Sequence, residues 1–176
     1  MARIRVIRRR SIYRGKVIEL VQEELAIDGR RMVRETVRHP GAVVMVPLLD
    51  RSRIVFVRQY RRAINRSILE LPAGTLAPGE RQAVCARREL EEEIGMRAKR
   101  LTKLGQFYAA PGFTSERMAV FLAEGLTAVE AHPEADEILT PVVLSFSEAL
   151  RNIRTGAICD AKTIIGLHWA QQFLKG

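Results

Sequence analysis

The order of elements in this 176-residue sequence predicts an α/β domain on the border of α+β: a mixed β-sheet between helices, preceded by an antiparallel β-hairpin subdomain. Three observations carry the prediction. Strand-like segments crowd the first two thirds, a helix-length segment interrupts them after residue 80, and two more helical segments close the chain.

Residues 16–26 alternate loosely, Asp28-Gly29 has the composition of a tight hairpin turn, and residues 31–38 supply the returning strand. Ala42–Leu49 is almost continuously apolar and Arg53–Gln59 is β-branched, with Leu49-Asp50-Arg51-Ser52 turning between them. Both are expected to be central strands. Leu71-Pro72-Ala73-Gly74 leads to a loop with Pro78-Gly79, then to a helix from about Arg81 to Ile94 that Gly95 closes as a left-handed cap. Further strands are expected near 103–109, 118–123 and 140–144, and helices over 146–154 and 161–174. The last helix has an apolar face of Ile164, Ile165, Leu167, His168, Trp169 and Phe173, which assigns His168 to the core. Residues 1–40 are expected to form the hairpin subdomain and 41–176 the main domain.

Composition narrows the class. Apolar residues make up 47% and charged residues 28%, which suits a globular domain large enough to bury a core without disulfides. No apolar run approaches a membrane span, and the N-terminus lacks the pattern of a secretion signal, so a soluble, cytoplasmic protein is expected. Cys85 and Cys159 have no metal-knuckle spacing and are read as reduced and structural. The net charge is +9, but Arg3, Arg5, Arg8, Arg9, Arg10, Arg14 and Lys16 stand in residues 1–16 without an acid, leaving +2 for the rest. That arm is read as a solvated edge strand or tail, and no nucleic-acid partner is expected.

The chemistry concentrates between Gly74 and Met96. Glu80 follows Gly74 by six positions, and then comes Arg88-Glu-Leu-Glu-Glu-Glu-Ile-Gly-Met96. At about 100° per residue, Glu89, Glu92 and Glu93 share one helix face and Glu91 points away. Like charges so placed repel by a few tenths of a kcal/mol per pair, roughly, unless a cation sits among them. Hard carboxylate oxygens beside a Gly/Pro loop suit Mg²⁺ (or Mn²⁺) bridged to phosphate. Arg88, four residues before Glu92, orients that carboxylate from behind, and Gly74 and Gly79 let the loop bring the Ala73 carbonyl toward the metal.

These positions reproduce the Nudix box, Gly-x5-Glu-x7-Arg-Glu-aliphatic-x-Glu-Glu-x-Gly-aliphatic, without departure. A chance match is below roughly one in a million at average residue frequencies. The resemblance implies the Nudix fold and hydrolysis of a nucleoside diphosphate linked to another moiety. It assigns metal ligation to Glu89, Glu93 and next Glu92, with Glu80 the weakest candidate.

Outside the box the chain resembles the ADP-ribose pyrophosphatase branch of that family. The similarity lies in Pro111, 15 residues beyond Met96, in the N-terminal hairpin, in Leu71–Gly74 and in the acidic loop Pro133-Glu-Ala-Asp-Glu137. It implies that ADP-ribose is the substrate and that the hairpin mediates a homodimer. Arg34 and Glu35 correspond to adenine contacts, although an exposed strand face accounts for them equally. Arg58 and Arg61 correspond to contacts with the diphosphate or terminal ribose, Arg61 matching better. The resemblance makes Pro111, Gly112 and Glu116 substrate-binding candidates, although a surface carboxylate is the simpler account of Glu116. The general base is a loop glutamate, Glu134 or Glu137, or a glutamate of the box itself. Two alternatives stand beside this reading: another nucleoside diphosphate derivative such as GDP-mannose, and a catalytically silent nucleotide-binding module, which would have a degraded box.

Overall fold

Apolar and basic residues intermingle from Ile4 onward, and this favours extended backbone over the coil of a purely charged tail. The computed structural model describes residues 3–130 and 139–175. The arm is strand β1 (Ile4–Arg14), followed by β2 (Glu19–Ile27) and β3 (Arg30–Arg38), in an antiparallel sheet of order β1-β2-β3. All eleven β1 residues are exposed, and its arginines are partly neutralised across the ladder, Arg9 by Glu23 and Arg14 by Glu19 at 3.0 Å. Between β2 and β3, Asp28 (φ 48°) and Gly29 (φ 83°) both adopt the left-handed conformation that a two-residue hairpin requires.

The chain divides into two compact units. The first is Met1–Gly41 with Tyr108–Arg117, so a segment expected in the main domain joins the N-terminal sheet. Val37 N–H donates to the Phe113 carbonyl at 2.8 Å, and Ser115 N–H to the Val37 carbonyl at 3.0 Å.

The second unit, Ala42–Phe107 with Met118–Gly176, is built on two sheets. Strands β4 (Ala42–Pro47), β5 (Arg53–Arg61), β6 (Arg66–Glu70) and β7 (Ala73–Thr75) precede helix α1 (Gln82–Ile94). Strands β8 (Met96–Tyr108), β9 (Arg117–Ala128) and β10 (Leu139–Ser145) follow, then helices α2 (Phe146–Thr155) and α3 (Ala161–Lys175). The expected mixed sheet has the order β7-β4-β9-β8, with β4 parallel to β9 and antiparallel to β7. A second, antiparallel sheet, β10-β5-β6, accompanies it. Each of the two apolar segments is central in its own sheet, and a single bridge, Leu48 to Ile54, links them.

The near-continuous apolarity of β4 follows from burial on both faces. Val44 and Val46 pack with Phe56, Leu71, Val120 and Leu122 toward Ala149 of α2 and Leu167 and Ala170 of α3. Val43 and Met45 pack with Val55, Val57 and Phe121 against Cys85, Ala86 and Leu90 of α1. Each fully buried Val, Met or Phe contributes about 1.5–3 kcal/mol. Helix α2 starts at a capping box: Glu148 N–H donates to Ser145 Oγ at 3.2 Å, and Ser145 N–H to Glu148 Oε2 at 2.8 Å.

The inner face of α3 differs from expectation. Lys162, Thr163, Gly166, Leu167 and Ala170 are buried, whereas His168 is exposed and Phe173 is half-exposed. The 3.6-residue period selects positions 163, 166–167 and 170, and His168 falls one step off that stripe. Cys159 is exposed, so only Cys85 has a structural setting. Among the described residues, no helix is long and apolar enough to cross a membrane.

Candidate active site

The turn before α1 is held by Glu80, whose Oε2 accepts from the Ala77 N–H at 3.0 Å, while Gly79 takes φ 76°. Arg81 is the N-cap, and Gly95 (φ 61°) ends the helix by donating its N–H to the Glu91 carbonyl at 3.2 Å. One face of α1 buries Cys85, Ala86, Glu89, Leu90, Glu93 and Ile94. Two carboxylates therefore sit among core residues, Glu89 8% and Glu93 3% exposed. Burying a carboxylate is costly unless cations or N–H donors surround it.

The loop and strand segments before α1 supply such surroundings. Ala73, paired with Val44 in the β4–β7 ladder, donates its N–H to Glu93 Oε2 at 3.1 Å. Gly74 leaves room for Glu89: a Cβ at position 74 would lie 1.8 Å from the Glu89 carboxyl carbon. Beyond the tight loop that the sequence suggests, Gly74 thus allows the close approach of Glu89. Arg88 binds three of the box acids, with Nε 3.1 Å from Glu80, and Nη1 2.8 Å from Glu89 and 2.7 Å from Glu92. Its hydrogen bonds to Glu80 raise the Arg88 pKa and hold Glu80 far below its usual value, at about 2. Glu91 lies on the far side, bound to Arg97 at 2.7 Å, as the helical arc requires.

Among the described residues, no three acidic, His or Cys side chains converge as a closed metal cage. The donor chemistry nevertheless fits a hard divalent cation. Glu89, Glu92 and Glu93 offer carboxylate oxygens, and burial, helped by the nearby glutamates, pushes the neighbouring Cys85 thiol up to about 12. It stays protonated at neutral pH and presents no soft thiolate. An open carboxylate set is what Mg²⁺ uses when water and substrate phosphates complete its shell.

Arg61 faces this cluster from β5. Its Nε and one Nη hydrogen-bond Glu70 at 2.8 and 2.9 Å, and Glu70 is fully buried. Burial alone would lower the Arg61 pKa, but Glu70 and the charges of Asp160 and Glu93 reverse this and raise it. Glu70 also binds Lys162 Nζ, which lies 3.0 Å from Asp160. Sequence reasoning missed Glu70, Asp160 and Lys162. The available signal was Glu70 itself, a single acid between Leu69 and Leu71 at the end of an apolar stretch.

The second unit therefore brings Ala73, Gly74, Glu80, Arg88, Glu89, Glu92 and Glu93 together, with Arg61 close enough to feel the Glu93 charge. Arg58 is exposed on β5. Arg34, Glu35, Pro111, Gly112 and Glu116 belong to the first unit. There Arg34 donates to the Val33 carbonyl at 3.1 Å, Glu35 accepts from Gln22 at 3.4 Å, and Glu116 lies 3.9 Å from His39. Pro111 and Gly112 form an exposed turn. Glu134 and Glu137, with Asp136, lie outside the described residues.

Comparison with known proteins agrees with this arrangement. Residues 38–164, more than half the chain, match the NUDIX domain. The chain is 39% identical over 170 residues to an ADP-ribose pyrophosphatase of Bacillus subtilis (strain 168), covering 95% of this chain and 92% of that protein. It is 37% identical over 170 residues to a methanol dehydrogenase activator of Bacillus methanolicus, with the same coverage. The crystal structure of an ADP compounds hydrolase superposes with a TM-score of 0.87 over 98% of this chain and 95% of that one, at 24% identity, and so shares the fold. The fold and the acidic helix thus define a hydrolase of the Nudix class, and the chain belongs to the Nudix family. Members of this family generally depend on a divalent metal. The two relatives carry different functional names, so the family is what they establish for this chain.

Proposed function

We propose that the protein hydrolyses the diphosphate bond of ADP-ribose, giving AMP and ribose 5-phosphate, with Mg²⁺ or Mn²⁺ as cofactor. The observation that carries this reading is the buried Glu89–Glu93 pair on α1, facing the bare Cα of Gly74 and the N–H of Ala73. Glu89 and Glu93, with Glu92 and the Ala73 carbonyl, would hold the metal. A bound divalent cation neutralises diphosphate charge and acidifies a water. The chain's own residues do the rest. Arg88 keeps Glu80 ionised and orients both Glu80 and Glu92, and Arg61 and Arg58 meet the diphosphate or terminal ribose. Glu134, Glu137 or a box glutamate accepts the proton of the attacking water as the P–O bond to the leaving phosphate breaks. The resemblance adds residues of the first unit as candidates, Arg34 and Glu35 for the adenine and Pro111, Gly112 and Glu116 as substrate contacts.

Homodimerisation through the N-terminal sheet belongs to the same proposal. It is supported by the exposure of Ile4 (62%), Tyr13 (60%) and Val33 (54%), apolar area that a second copy would cover. The cytoplasm is the proposed location.

Purified protein with ADP-ribose and Mg²⁺ should release AMP, and Glu93→Gln should remove most of that activity. Failure to release AMP, with turnover of GDP-mannose in a parallel reaction, would overturn the substrate and leave the class. Light scattering that returned a single 19.9 kDa species would overturn the dimer.

A further inference from the structure

Arg61 reaches the acidic cluster from a buried base of four charges. Glu70, at the end of β6, is fully buried; its Oε1 accepts from Arg61 Nε, and its Oε2 accepts from both an Arg61 Nη and Lys162 of α3. Lys162 is itself only 9% exposed and is held a second time by Asp160 at 3.0 Å. Asp160 caps α3, accepting from the Thr163 N–H at 3.0 Å and the Thr163 hydroxyl at 2.6 Å. Thr163 Oγ1 in turn accepts the Leu71 N–H at 2.8 Å. The start of α3 is thereby fastened to the strand end that leads into Ala73 and Gly74.

Two anions and two cations balance within this group, so no net charge is buried. Burial of such a set is seldom a net gain in stability, since desolvation opposes the attraction. Its geometric consequence is sharper. A carboxylate gripped by Lys162 cannot swing, and a guanidinium bound to it through two nitrogens is fixed in plane as well as in place. The Arg61 side chain is 38% exposed although Glu70 is fully buried, so part of it remains open to solvent.

We infer that Lys162 is a positioning residue: by locking Glu70 it sets the plane in which Arg61 presents its guanidinium to the substrate's diphosphate. The inference rests on the proposed contact between Arg61 and the diphosphate. Lys162 touches no substrate and acts through two side chains, and its effect is on substrate binding more than on the chemical step.

The test is a double-mutant cycle of Lys162→Met and Arg61→Ala, read as KM and kcat for ADP-ribose, with melting temperature recorded for each variant. Lys162→Met should raise KM about tenfold, on the order of one charge-assisted hydrogen bond, with kcat within about threefold. In the Arg61→Ala background it should add little, because both changes disable the same contact. Additive KM effects, or an unchanged KM in Lys162→Met where Arg61→Ala raises it, would overturn the role of Lys162 and leave the Arg61 contact standing. An unchanged KM in Arg61→Ala would overturn that contact, and the inference with it. If Lys162→Met does not fold, Lys162→Gln, which retains an N–H donor for Glu70, goes through the same cycle. It should show a smaller rise in KM with the same non-additivity, and additive effects would again overturn the inference.

Discussion

Gly74→Ala is the substitution whose effect the geometry defines most sharply. A Cβ built at position 74 lies 1.8 Å from the Glu89 carboxyl carbon, 1.9 Å from its Oε1 and 2.3 Å from its Cγ. Ordinary contact begins near 3.4 Å, so the Glu89 carboxylate must retreat by about 1.6 Å. Position 74 does not require a positive φ, and the clash is with one side chain and not with backbone, so the fold should tolerate alanine by displacing the buried Glu89 carboxylate. The stability cost should stay near the lower end of overpacking, about 1 kcal/mol, which is about 2–4 °C in melting temperature at this chain length. Catalysis should suffer far more, because a displacement of about 1 Å in a reacting group costs roughly 100-fold. That is about 2.7 kcal/mol in the barrier. The assay is kcat for ADP-ribose hydrolysis at saturating Mg²⁺, alongside calorimetric titration of the metal. Gly74→Ala should lose at least about 100-fold in kcat and bind metal more weakly, and added to Glu89→Gln it should change little further. A variant that kept more than a tenth of wild-type kcat would refute the argument that Glu89 must occupy the space above Gly74.

Glu70→Ala would leave Arg61 and Lys162 without their shared carboxylate, and breaking a buried ionic group costs about 3–5 kcal/mol. Thermal melting should fall by about 6–20 °C, and a fall under 3 °C would contradict the burial of that group. Hydrogen bonding to Arg88 depresses the Glu80 pKa from 4.5 to about 2. Its stabilising share is therefore complete above pH 4.5 and drains away as the pH falls toward 2. Melting temperatures between pH 6 and pH 2.5 should show this decline, flattened in Arg88→Met, and identical slopes would reject the linkage. Cys85 is buried with its thiol pushed up to about 12, while Cys159 is exposed. A disulfide reagent should titrate one thiol in native protein and two in denaturant, and rapid modification of both in the native state would refute the packing of α1.

The local features were legible in the chain because local rules produce them. Asp28-Gly29 turns where positive φ is required, Gly95 ends α1, and the spacing of Glu89, Glu92 and Glu93 places them on one face whatever surrounds the helix. Of the two readings of the basic arm, a solvated edge strand or a tail, the structure shows the exposed edge strand β1. The same spacing pointed to metal-type chemistry, because carboxylates at i, i+3 and i+4 repel unless something joins them. What each acid touches was not legible. That Gly74 serves as space for Glu89, and that Arg88 gathers Glu80, Glu89 and Glu92, depends on how β7 lies against α1.

Tertiary structure alone decided the remainder. His168 reads as apolar-face on a helical wheel, yet α3 presents Thr163, Gly166, Leu167 and Ala170 to the sheet, and the histidine turns outward. Glu70, at the end of β6, lies 90 or more residues from Asp160 and Lys162 at the start of α3, and no periodicity links them. The pattern of apolar and acidic residues sets local geometry through bond rotations and helix pitch. The pairing of buried charges is chosen only when distant segments pack and exclude water, which is the step that makes an unpartnered charge costly.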